Sequence, residues 1–312
     1  MSAPVDMTTR LAGIVLPNPV IAASGTYGHG DEVARQGNPA LVGAITVKSL
    51  SADPWPGNAA PRVHETPAGM LNSVGLQNPG VDVWRDTELP RLRALGARVI
   101  ASVWGRTIDD FARAAKGVAE AATEIIAIEV NASCPNIEDR SDIFAHSADG
   151  TRAAVGAVVG QAGNLPVFAK LSPNVTDLVS IAGAALDAGA SGLTLINTVM
   201  GMSIDPDRRG FRLGAGGGGL SGPAIRPVAV RAVFEVARAY PGVAIIGTGG
   251  VARAEDAVEM LLAGASAVGV GTATFRDVRA PERVARALER WCRRRGVGAV
   301  VDLVGAVEHG PT

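Results

Sequence analysis

Eight short apolar or β-branched runs, alternating with alanine-rich segments of helical period, predict an α/β protein. The expected architecture is a (β/α)8 TIM barrel with inserted loops over its C-terminal face. Two further observations agree with it: polar residues end the runs at equivalent places, and glycine turns follow the last two runs. The 312 residues are 47% hydrophobic and only 4% aromatic, with 39 glycines, a composition suited to helices packed closely on a sheet.

The expected strands cover residues 20–23, 44–48, 99–103, 126–131, 167–171, 193–197, 243–247 and 267–270. Between them lie helical segments with recognisable ends. "TIDDFARAAKGVAEAAT" opens on Thr107 followed by acids, as an N-cap and first turn should, and "RAEDAVEMLLAGAS" stops at Gly264. Two connections, 49–81 after the second strand and 199–223 after the sixth, exceed a minimal unit. In a barrel such loops gather over the face where chemistry sits. Within the second, "GAGGGG" (214–219) reads either as a flexible linker or as a mobile lid. No internal repeat divides the chain, so 1–312 reads as a single domain.

Composition excludes several function classes. Lys plus Arg number 29 against 30 acids, so no overall field draws the chain to nucleic acid or to an anionic membrane. Two cysteines exclude a disulfide framework, a Cys-rich zinc site and a ferredoxin-type cluster within this chain. The histidines, His29, His64, His146 and His309, show no zinc-ligand spacing, and no metal site is expected. The N-terminus has neither a signal pattern nor a membrane-length apolar span, and a reducing cytoplasm is the expected location.

The strand ends carry the candidate chemistry. Ser24, Lys48, Ser102, Asn131, Lys170, Asn197 and Thr198 lie at or just past them, and "GTGG" (247–250) and "GVGT" (269–272) end the last two. Glycine amides there, followed by a helix start near Ala273, form a phosphate cradle in this architecture. Lys48 and Lys170 stand in an apolar ring where an ammonium needs an anionic partner, and Glu129 in "IEVN" is one conceivable neighbour. "LNSVGLQNPG" (71–80) brings amide side chains around Gly75, suited to the donor and acceptor edge of an imide or amide ring.

Cys134, in "NASCPN" after the fourth strand, belongs to the same rim and is braced by Pro135. With no histidine motif beside it, the thiol suits a proton-abstracting base better than an acyl-transfer nucleophile. Cys292 in "WCRRRG" falls in a run read as a solvated helix end.

In order along residues 18–275, "NPVIAASGTYG", "VKSL", "NSVGLQNPG", "NASCPN", "AKLSPNVTD", "NTVMGMSID", "GGLSGPAIRPVAVR", "IIGTGGV" and "VGVGTATF" resemble the dihydroorotate dehydrogenase family, and within it the class 1B catalytic subunits. The resemblance implies an FMN-containing barrel that oxidises dihydroorotate to orotate in pyrimidine biosynthesis. Cys134 would remove the C5 proton while hydride passes from C6 to flavin N5, with Lys48 and Lys170 completing the catalytic set. It implies FMN contacts from Ser24, Lys48, Ser49, Ser102, Asn131, Lys170, Ile196, Gly222, Gly249, Gly250, Gly271 and Thr272. Lys48, Asn72, Ser73, Val74, Gly75, Leu76, Asn131, Asn197 and Thr198 would hold the pyrimidine.

Two departures stand out. Ser102 occupies a position where class 1B members commonly carry asparagine, next to an unusual Trp104, and the segment "IEDRSDIFAHSADG" is more charged than a glycine-rich lid. The resemblance further implies a homodimer flanked by two FAD and [2Fe–2S] electron-transfer subunits that pass electrons to NAD. The alternatives from sequence are the same oxidation with fumarate as acceptor in a homodimer, a flavin-free phosphate-binding barrel isomerase or lyase, and a catalytically silent ligand-binding barrel.

Overall fold

A computed structural model describes residues 4–132 and 144–308. Eight parallel strands close into a barrel: β1 (Val20–Ala22), β2 (Ala44–Thr46), β3 (Val99–Val103), β4 (Ala127–Asn131), β5 (Val167–Leu171), β6 (Gly192–Leu195), β7 (Ala244–Thr248) and β8 (Ala267–Val270). Each strand pairs with its sequence neighbours, and β8 closes on β1. This is the (β/α)8 TIM barrel the sequence predicts, with strand limits that differ from the expected ones by at most two residues.

Outside it lie helices α1 (Ile108–Ala119), α2 (Ala148–Val159), α3 (Leu178–Asp187), α4 (Arg226–Ala239), α5 (Ala254–Leu262), the short α6 (Ala273–Arg276) and α7 (Ala280–Arg295). The expected Thr107 cap is present: its hydroxyl accepts from the Asp110 amide at 3.1 Å, and the Asp110 carboxylate accepts from the Thr107 amide at 3.1 Å.

Strand side chains alternate between two cores. Val99, Ala101, Ile128, Val130, Val167 and Ala169 face outward and pack under the helices. Ile21, Ala44, Ile100, Ala127 and Phe168 face the axis, where Leu11 and Leu16 join them from an N-terminal hairpin (Thr9–Leu11 and Ile14–Leu16). These axis residues lie near the strand starts, so the hairpin plugs the lower end of the barrel. One step up β3, β4, β5 and β6 the axis becomes polar, with buried Ser102, Glu129, Lys170 and Thr194. Apolar filling below and polar filling above place the chemistry at the C-terminal rim.

The two long connections are not irregular. Val63–Thr66 and Gly69–Asn72 from the first join Val199–Met202 and Gly217–Ser221 from the second in one four-stranded antiparallel sheet. This corrects the flexible or mobile reading of "GAGGGG". Gly217 to Gly219 all pair with Val199–Met202, Gly219 also pairs with Asn72 on the other edge, and glycine is required there by close approach: a Cβ on Gly218 would lie 2.4 Å from the Asn72 carbonyl oxygen. Because that neighbour is backbone, it has little freedom to yield. Gly218→Ala is expected to destabilise the chain by about 1–3 kcal/mol, the usual penalty for overpacking, and to lower its melting temperature. A melting temperature equal to that of the parent would restore the linker reading.

Cys292 also requires correction. It sits on the inner face of α7, fully buried in the core, and burial pushes its thiol pKa up. The following Arg293, Arg294, Arg295 and Gly296 are the solvated part of the run. No helix among the described residues is long and apolar enough to cross a membrane.

Candidate active site

A cleft opens at the C-terminal mouth, walled by strand ends on one side and by the four-stranded sheet on the other. Its floor is a connected set of polar side chains. Asn131, at the end of β4, donates from Nδ2 to the Ser49 hydroxyl at 2.9 Å, and Asn197 Nδ2 donates to Asn131 Oδ1 at 3.4 Å. Ser49 is in turn 2.9 Å from the Ser102 hydroxyl. Ser102 is fully buried beneath Ser49 and does not reach the cleft wall. Beside it Trp104 packs edge-on against Trp55, with ring centroids 5.8 Å apart.

Lys48 and Lys170 both reach the cleft. Lys48 lies two residues beyond β2, its backbone amide held by the Gly28 carbonyl at 3.0 Å. Lys170, on β5, is almost wholly buried, with its ammonium 3.8 Å from Glu129 Oε1. Glu129 Oε2 accepts from the Thr194 hydroxyl at 2.9 Å, while Oε1 accepts no hydrogen bond among the described residues. The conceivable Lys170 and Glu129 neighbours are therefore an ion pair inside the barrel.

The sheet supplies the opposite wall. Asn72, Val74, Gly75 and Leu76 line it, and Asn72 Nδ2 donates to the Gly219 carbonyl at 3.2 Å across the strand pair. Ser73 is buried behind them, its hydroxyl accepting from Asn58 Nδ2 at 2.9 Å. Ser24, Ile196, Thr198 and Gly222 complete the rim. Cys134 lies outside the described residues, three positions after Asn131.

At one end of the cleft, Gly249, Gly250, Gly271 and Thr272 follow β7 and β8. Among the described residues their N–H groups make no backbone hydrogen bond. The backbone here admits no side chain: Gly249 and Gly250 have φ of +140° and +73°, and a Cβ on Gly250 would meet Arg226 Cβ at 2.8 Å. Such unspent amides are donors for an anion. The turn is held from behind by Asp256, whose carboxylate accepts from the Ala252 amide at 3.0 Å and from Arg226 Nη1 at 2.6 Å.

The cleft also contains residues that the sequence reading does not single out. Thr248 reaches it, with a buried hydroxyl that has no partner among the described residues. Its signal lay within "GTGG". Met70 and Ser221 arrive only through the pairing of the two long connections, for which no local pattern exists.

Behind Lys48 a second hollow is lined by His29, Glu32, Gln77 and Glu88 among others. Burial, and then the Lys48 charge, push the His29 imidazole down to about 4 against the opposing pull of Glu32. Between pH 6.5 and about 4 the unfolded chain binds this proton and the folded chain does not, so stability falls as pH drops through that window. His29→Gln should flatten this acid limb in denaturant titrations across those pH values. An unchanged limb would show that His29 is not its source.

The family model described as dihydroorotate dehydrogenase matches residues 6–291. The chain belongs to the dihydroorotate dehydrogenase family. Among its relatives in that family, the Pelobacter propionicus protein named dihydroorotate dehydrogenase B (NAD(+)), catalytic subunit, is 46% identical over 306 residues, covering 97% of this chain and 99% of that protein. Proteins of the same name from Geobacter sulfurreducens and Trichlorobacter lovleyi are each 44% identical, covering 97% of this chain and 98% of theirs. The similarity to dihydroorotate dehydrogenases thus runs through the barrel, both long connections and the glycine turns.

Proposed function

We propose that this chain is the catalytic subunit of an NAD-linked dihydroorotate dehydrogenase, oxidising dihydroorotate to orotate in pyrimidine biosynthesis. The observation that carries the proposal is one cleft that gathers Asn72, Asn131, Asn197, Lys48 and Lys170 beside a run of unspent glycine amides. Residues 1–312 would act as a single FMN-binding barrel domain in the cytoplasm.

The donor set fits FMN. The amides of Gly249, Gly250, Gly271 and Thr272 suit its phosphate, and the unpartnered Thr248 hydroxyl and the Lys170 ammonium suit polar atoms of the ring and side chain. Ser24, Ser49, Asn131, Ile196 and Gly222 line the same cleft and would make further contacts, and Ser102, hydrogen-bonded to Ser49 and off the wall, would act on the flavin through Ser49. The chemistry that bound FMN supplies is acceptance of the hydride leaving C6.

The chain's own residues do the rest. Asn72, Asn131, Asn197 and Thr198 present donors and acceptors to the pyrimidine edge, with Val74, Gly75 and Leu76 closing over it. The Lys48 ammonium meets the substrate's carboxylate, which fixes the ring in one orientation. Cys134 would take the proton from C5 as its thiolate. The direct test is anaerobic mixing of the FMN-loaded chain with dihydroorotate. Bleaching of the flavin absorbance is expected, and persistent yellow colour at saturating dihydroorotate would overturn the proposal.

A cluster-mediated route to NAD needs a partner, since two cysteines in the whole sequence cannot ligate a cluster. A dimer of this chain flanked by two subunits carrying FAD and a [2Fe–2S] cluster would deliver the electrons to NAD, in keeping with the NAD(+) and catalytic subunit in the relatives' names. The chain alone should therefore bleach without reducing NAD, and adding an iron–sulfur flavoprotein subunit should restore NADH formation at 340 nm. Robust turnover of the isolated chain with fumarate would overturn this electron route.

A further inference from the structure

We infer that Glu129 is a positioning residue that sets the charge Lys170 presents to the cofactor, an inference that rests on the FMN reading above. The carboxylate is 2% exposed on the barrel axis, below the cleft and off its wall, so it touches neither cofactor nor substrate. Its surroundings direct it at Lys170. Oε2 is occupied by the Thr194 hydroxyl at 2.9 Å, and Oε1 is turned to the ammonium at 3.8 Å without a hydrogen bond of its own.

This arrangement differs from a pair made for tightness. A buried ion pair repays its desolvation only with close geometry and with every remaining lone pair satisfied. Here the separation exceeds a hydrogen bond, and one oxygen has no other donor among the described residues. The register explains the distance: Lys170 is level with Asn131 on one side and Thr194 on the other, whereas Glu129 is level with Phe168, one layer lower. The ammonium is thus drawn toward the axis from below while its upper side remains on the cleft wall.

The consequence is a tempered positive field under the cofactor. An ammonium alone would favour electron-rich forms of the flavin strongly, because charge near the ring is poorly screened in a buried site. A carboxylate one layer down subtracts from that field. Glu129 would therefore keep the flavin's midpoint potential low enough for the reduced form to pass its electrons onward.

The test uses the FMN-loaded full chain and two readouts that do not depend on turnover: the midpoint potential from a dye-coupled reductive titration, and the affinity for sulfite, whose adduct with flavin N5 is anionic. Glu129→Gln should raise the potential and tighten sulfite binding by about tenfold, the scale of one charge acting across several ångströms of poorly screened interior. Glu129→Asp, which keeps the charge but withdraws it from Lys170, should fall between Gln and the parent. A purely structural role would lower the melting temperature and leave both readouts in place. Unchanged potential and sulfite affinity in FMN-loaded Glu129→Gln would overturn the inference. If Glu129→Gln does not fold, Glu129→Asp decides the matter, an upward shift supporting the inference and no shift overturning it. A parent chain that takes up no FMN would remove the flavin reading and this inference together.

Discussion

Cys134→Ala should retain FMN and bind orotate, yet lose dihydroorotate oxidation by about 10²–10⁴-fold, the usual contribution of a positioned base. Asn131 ends β4 inside the cleft and anchors the floor through Ser49 and Asn197, and Cys134 follows it by three residues in the sequence. A thiol titrates near 8.5, which makes roughly a few per cent of it thiolate at neutral pH. That fraction suffices when the substrate proton is acidified by an adjacent carbonyl. A serine hydroxyl is a weaker acid, so Cys134→Ser should regain rate as pH rises while Cys134→Ala should not. The measurement is anaerobic flavin reduction in single turnover across pH, with orotate binding followed by the flavin spectrum. Reduction by Cys134→Ala at the parent rate would return this thiol to an inert role.

Much of the fold was legible because each barrel strand is a short apolar run between helical periods, and all eight runs close the barrel in chain order. What escaped was long-range. The sheet that walls the cleft pairs Gly69–Asn72 with Gly217–Ser221, segments about 150 residues apart, and nothing local to either announces the other. Glycine misled for a related reason. In "GAGGGG" it reads as conformational freedom, whereas in the sheet it serves close approach, with the Asn72 carbonyl occupying the space a side chain would need.

The site divides along the same line. Strand-end residues such as Asn131, Lys170, Gly249 and Gly271 reach the cleft because their positions follow from the strand period alone. The pairing of Lys170 with Glu129 was visible only as a possibility, since in-strand alternation gives the face of each residue but not the layer in which neighbouring strands align. Ser73 sits between the cleft residues Asn72 and Val74, yet sheet packing buries it behind the wall, and Ser102 faces the barrel axis but is buried beneath Ser49. Cys292 escaped because the arginines that follow it advertise a solvated end, while its own position falls on the apolar stripe of α7.

Lys170→Ala should cost stability as well as function, and the two losses can be separated. Removing the ammonium leaves the Glu129 carboxylate on the barrel axis with only the Thr194 hydroxyl as donor. Breaking a buried pair in this way typically costs about 3–5 kcal/mol. For a chain of this size that corresponds to a melting temperature lower by roughly 5–10 °C. The double variant Glu129→Leu with Lys170→Met removes both charges for apolar groups of similar volume, and such replacements are often neutral or stabilising. Its melting temperature should return close to that of the parent. Function should not return with it, because charge near the reduced flavin is supplied by the ammonium and not by packing. Stopped-flow mixing with dihydroorotate should therefore show slowed flavin reduction in both variants, while calorimetry shows the stability loss in the single variant alone. Parent-like reduction in the stable double variant would mean that Lys170 serves only to neutralise Glu129, and that the counter-charge for the reduced flavin lies elsewhere in the cleft, with Lys48 the other lysine on its wall.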